Sequence, residues 1–72
     1  MFPRFFCSLT LTTSESILLP NSISHHVAHV LRLKKNDKVI LFNGQGGEFT
    51  AQIEQINKSG VTVEIRQFHD VN

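Results

Sequence analysis

The chain has 72 residues, 40% of them apolar and 18% charged, with a formal net charge of +1. Such a composition is globular rather than disordered, and the length sets one small domain that buries only about 60% of its unfolded surface. A charge this close to balance excludes a strong global field, so a nucleic-acid reading must rest on where the charges lie.

Cys7 is the single cysteine, which excludes an internal disulfide and suits a reducing cytosol. The N-terminal stretch is apolar but interrupted by Pro3, Arg4, Ser8 and several threonines. It lacks the unbroken apolar core and small-residue cleavage site of a signal peptide. No run reaches transmembrane length. A cytoplasmic protein without a membrane partner is therefore expected.

In chain order, Arg4-Phe5-Phe6-Cys7 reads as a first strand, with Arg4 at its start and free to reach solvent or a ligand. Residues 9–16 alternate and then turn polar, a weak strand end or a loop. Ile17-Leu18-Leu19 is a brief strand closed by Pro20. Asn21, Ser22 and Ser24 then offer oxygens to the free N–H groups of a helix start. Ile23, Val27, Val30 and Leu31 recur at i, i+4, i+7 and i+8, one face of a helix of about ten residues. His25, His29 and Arg32 fall on the opposite face.

Lys34-Lys35-Asn36-Asp37-Lys38 is a basic corner around a turn signal. Val39 to Phe42 is a continuous apolar run of strand length, and Asn43-Gly44-Gln45-Gly46-Gly47 supplies glycines for a tight reversal. Phe49, Ala51 and Ile53 alternate with polar residues in a returning strand. Ile56 breaks that phase and marks a bulge. Asn57-Lys58-Ser59-Gly60 is a turn, and Val61, Val63 and Ile65 alternate in a last strand. The expected core is Phe6, Ile23, Val27, Val30, Leu31, Val39, Leu41, Phe49, Ile53, Val61, Val63 and Ile65. Short, closely spaced strands with one helix predict a small, mainly β barrel.

Chemistry-bearing patterns are sparse. His25 and His29 have the i, i+4 spacing of zinc ligands, but no acid or cysteine completes a set, and a polar helix face accounts for them. Cys7 or a serine can be drawn beside a histidine, yet no carboxylate stands ready to orient a base. The glycine-rich stretch lacks the lysine ending of a phosphate loop and lies between strands. No catalytic, cofactor-binding or metal-ligating residue is expected in this chain. Arg4, Arg32, Lys34, Lys35 and Lys38 hold five of the seven basic residues, as either a solvated face or a phosphate-tracking patch.

At His29-Val30-Leu31-Arg32-Leu33, followed by Asn36-Asp37 and Val39-Ile40-Leu41-Phe42-Asn43-Gly44-Gln45-Gly46, the chain resembles the N-terminal domain of the RsmE family. These are methyltransferases acting on N3 of a uridine in small-subunit (16S) ribosomal RNA. The Pro3-Arg4-Phe5-Phe6 opening fits, and the likeness spans residues 3–66. Asn36 stands where the family's turn leads one to expect glycine, and asparagine tolerates the left-handed conformation.

The resemblance implies a PUA-like RNA-binding barrel over residues 1–66, with residues 67–72 beginning a linker. In the family a second, knotted α/β domain binds S-adenosylmethionine, carries the chemistry and makes the homodimer. Its cofactor loops have no counterpart in these residues. RNA contact is expected from Arg4, Arg32, Lys34 and Lys35, helped by His25 and His29. A docking domain that braces a partner domain is the alternative, favoured by the apolar exit at residues 67–71. Gathering of the four basic residues on one face favours RNA, and scattering favours bracing.

Overall fold

The computed structural model describes residues 2–70. Its spine is a hairpin of two ten-residue strands, β4 (Glu48–Asn57) and β5 (Gly60–His69), paired antiparallel. Period-two alternation puts Ala51, Ile53, Val61, Val63 and Ile65 on one face, and all five are buried. The reversal is short. Asn57 Oδ1 accepts the Ser59 N–H at 2.8 Å, and Gly60 takes φ +129°. Glu54 is the extra residue where the register slips between Ile53 and Gln55. This bulge is the physical origin of the broken phase at Ile56.

The other strands build outward from the hairpin. β3 (Lys38–Phe42) pairs antiparallel with β4, and β1 (Arg4–Phe6) pairs parallel with β3. β2 (Ser16–Leu18) pairs with β5, giving the order β1-β3-β4-β5-β2. β1 and β2 are the edges, so the described pairings leave the small barrel open. The mainly β fold with one short helical element is the expected one.

The glycine-rich stretch is the β3–β4 turn, with φ of +79°, +88° and +72° at Gly44, Gly46 and Gly47. At Gly47 a Cβ would lie 2.5 Å from the Phe68 ring and 2.8 Å from the His69 carbonyl oxygen. Glycine is therefore required there for space as well as for φ. Residues 9–15 form a loop tied to β5: Ser14 N–H donates to the Ile65 carbonyl at 2.7 Å, and Ile65 N–H donates to that of Glu15 at 2.8 Å.

The helical segment departs most from expectation. α1 (Asn21–His25) starts after Pro20 with no side-chain cap, so the capping expected from Asn21, Ser22 or Ser24 is not made. The chain then widens into a π-helical turn, His26–Val30, where the Leu31 N–H donates to the His26 carbonyl at 2.9 Å, five residues back. Wider winding carries the last positions off the apolar stripe. Ile23 and Val27 are buried, but Val30 is 58% and Leu31 38% exposed, so neither belongs to the core. Phe6, also expected inside, is 57% exposed on the edge strand. Cys7, Leu11 and Leu19 are buried in their place. Phe49 is half-buried and packs against the core.

Of the stretch expected to begin a linker, Gln67, Phe68 and His69 lie in β5 opposite Thr50, Phe49 and Glu48. Residues 71–72 of that stretch lie outside the described residues.

Urea denaturation checks the core. Leu41→Ala, at a fully buried position, is expected to cost about 2–5 kcal/mol. Leu31→Ala is expected to cost about 1 kcal/mol or less, because its side chain already meets water. Equal losses at the two positions would overturn the π-helical placement.

Candidate nucleic-acid interface

The helix ends in a reversal that sets up the basic turn. Leu33 N–H donates to the Val27 carbonyl at 2.9 Å, and Arg32 adopts a left-handed φ of +54°. A left-handed residue just past the last turn is a common way to close a helix, though glycine usually fills it. Arg32 is thereby an exposed residue of the helix exit. Among the described residues it makes no ion pair: Glu48 is taken by Arg4, and Asp37 accepts the Lys34 backbone N–H at 2.8 Å.

The turn after it is anchored to β4. Asn36, at φ +77°, donates its N–H to the Ile53 carbonyl at 2.8 Å, and the Ile53 N–H returns to the Asp37 carbonyl at 2.8 Å. Gln52 Nε2 donates to Asn36 Oδ1 at 3.1 Å. The backbone under Lys34 and Lys35 is thus held, while both side chains stay exposed. With Leu33 they border a groove whose other wall is Glu54, Gln55 and Ile56.

The histidines divide. His25 and His29 lie side by side, ring centroids 4.9 Å apart and planes tilted by 39°, and both line a second groove facing the β4–β5 turn. His26 instead meets Phe5 edge-on at 5.4 Å. The helix is fixed against that turn by Ser24. Its buried hydroxyl donates to the Leu19 carbonyl and accepts the Val61 N–H, each at 3.2 Å. Gly60 lets the two elements approach, since a Cβ there would lie 3.2 Å from Ser24 Oγ.

Arg4 stands on a different surface. It is level with Ile40, on the sheet face opposite Val39 and Leu41. It forms an ion pair with Glu48 and lies 5.7 Å from the centre of the Phe42 ring. Arg32 at the helix exit is followed by Lys34 and Lys35 on the anchored turn, His25 and His29 lie on the preceding helix, and Arg4 is paired with Glu48 on the edge strand, so the structure does not gather all four expected cations on one face. Sequence reasoning passed over Lys58, which lines the histidine groove from the tip of the β4–β5 turn. Its only signal in sequence is a lysine inside a two-residue reversal. Among the described residues no group of three or more His, Cys, Asp or Glu side chains is arranged to hold a metal, and no helix is long and apolar enough to cross a membrane.

An open five-stranded β domain carrying one short helix and a basic turn is a PUA-like module. A family model described as RNA methyltransferase PUA domain matches residues 19–66, and the chain belongs to that family, as the N-terminal PUA-like domain of the RsmE type. It is 51% identical over 67 residues to the ribosomal RNA small subunit methyltransferase E of Rickettsia conorii, covering 92% of this chain and 28% of that protein. A putative methyltransferase of Legionella pneumophila, solved with bound SAM, superposes with a TM-score of 0.94 at 32% identity, over 100% of this chain and 30% of that one. The ribosomal RNA small subunit methyltransferase E of Neisseria gonorrhoeae, bound to S-adenosyl methionine, gives 0.90 at 29% identity, over 100% and 29%. The chain thus spans under a third of the length of these relatives.

Ser24→Ala tests the anchoring of the helix. It leaves the Val61 N–H without its partner in a buried setting, and a stability loss of about 1–3 kcal/mol is expected in denaturation. An unchanged midpoint would assign the anchoring to packing alone.

Proposed function

We propose that this chain is the RNA-binding domain of an S-adenosylmethionine-dependent methyltransferase that modifies N3 of a uridine in small-subunit ribosomal RNA. Its role is to hold the RNA while a separate catalytic domain delivers the methyl group. The observation that carries the reading is the anchored turn with Arg32, Lys34 and Lys35 exposed and without ion-pair partners among the described residues. Membership of the RNA methyltransferase PUA family and likeness to enzymes named for ribosomal RNA support it.

The chemistry suits a positioning role. Arg32's guanidinium can fork onto a phosphate, and Lys34 and Lys35 act as point charges beside it. Such contacts fix orientation without reading sequence. Arg4, paired with Glu48 on another part of the surface, reaches a phosphate only by giving up that partner. Cofactor binding, methyl transfer and homodimerisation fall to the catalytic domain, and the enzyme works in the cytoplasm.

A second reading, a docking surface that braces a partner domain, is favoured by one feature. Phe6 and Phe68 are exposed and flank the glycine-rich turn from either side. Both roles are compatible on one small domain, because the aromatics lie apart from the basic turn.

Filter binding with the full-length enzyme and a small-subunit ribosomal RNA transcript tests the main reading. Arg32→Ala and Lys34→Ala/Lys35→Ala are expected to weaken RNA binding with cofactor affinity unchanged. Each lost phosphate contact lowers the salt slope by roughly one. Unchanged RNA affinity in both variants would leave the docking role as the function.

A further inference from the structure

We infer that the groove between the helix and the β4–β5 turn is a second phosphate subsite, with Lys58 as its principal cation. This rests on the RNA-binding reading and extends it to a residue outside the basic turn.

Three grooves that carry basic side chains differ in their acids. The one beside Lys34 and Lys35 has Glu54 in its wall. Another, between Lys35 and Arg66, has both Glu54 and Glu64, and Glu64 already pairs with Arg66. The third is lined by His25, His29, Asn57, Lys58 and Ser59 with no carboxylate among its walls. A phosphodiester is repelled by a nearby carboxylate and attracted by donors and cations, so the third groove is electrostatically the most open to it.

Its parts are also held in place. Ser24 ties the helix to the Val61 N–H at 3.2 Å, directly after Gly60, so the histidines and the turn keep a set separation. Asn57 Oδ1 closes the turn on the Ser59 N–H at 2.8 Å, which fixes the backbone that carries Lys58. His25 and His29, with ring centroids 4.9 Å apart, line the opposite wall. A phosphate lodged here is met from the turn by a flexible ammonium and from the helix by imidazole N–H groups.

The test uses the full-length enzyme with a small-subunit ribosomal RNA transcript. Lys58→Ala is expected to weaken binding roughly tenfold and to lower the salt slope by about one. Lys58→Arg is expected to restore both, since it keeps the charge. Lys58 is exposed, so an unchanged melting temperature separates lost contact from lost fold. If Arg32→Ala weakens binding and Lys58→Ala does not, the subsite is overturned and the RNA-binding reading stands. If Arg32→Ala, Lys34→Ala/Lys35→Ala and Lys58→Ala all leave binding unchanged, both are overturned. Weakening by Lys58→Ala with an unchanged salt slope would overturn the phosphate assignment. Saturable binding of inorganic phosphate alone, lost in Lys58→Ala, would make free phosphate the ligand instead of the RNA backbone.

Discussion

Pairing of β4 with β5 is the constraint on which the rest of the structure depends. These two strands contribute Ala51, Ile53, Val61, Val63 and Ile65, all buried, and every other element attaches to one of them directly or through β3. A two-strand hairpin is marginal by itself in water. Here it gains a third strand on each side and a helix across its turn, so its buried face is covered from both flanks.

The surface features follow from the same pairing. Ile53 receives the backbone of the basic turn, and Val61 receives Ser24 from the helix. Both tethers lie on the half of the hairpin nearer the β4–β5 turn, so the basic and histidine residues gather beside that half. Arg4 and the exposed Phe6 and Phe68 belong instead with the Glu48 end, around the glycine-rich turn. A domain of +1 net charge thereby presents a locally basic surface by placement, without an excess of cations.

The helix shows the limit of periodicity. Ile23 and Val27 satisfy a 3.6-residue repeat and are buried. Val30 and Leu31 satisfy it on paper, but the backbone changes its hydrogen-bond step after His25, and a repeat derived for one winding does not survive into another. Arg32 then leaves the helix in a left-handed conformation that its residue type does not advertise. Asn36, at a comparable φ, did carry its signal, because asparagine is among the residues that tolerate that region.

Local chemistry alone determined the mainly β class, the two reversals at residues 43–47 and 57–60, the buried strand around Val39 and Leu41, and the one-sided patterns of β4 and β5. Each is a short-range preference that a residue and its immediate neighbours express: glycine for positive φ, asparagine for turns, alternation for a sheet with one buried face. The likeness to the RsmE N-terminal domain was legible for the same reason, since its marks are contiguous runs around the helix exit and the glycine turn. Tertiary structure decided the rest. It chose Cys7 and Leu11 over Phe6 and Leu31 for the interior, gave Glu48 to Arg4 and Asp37 to the Lys34 backbone, and set Lys58 across from His25 and His29. Those outcomes depend on contacts between residues far apart in the chain. Strand order and the helix tether fix such contacts, and no local pattern encodes them.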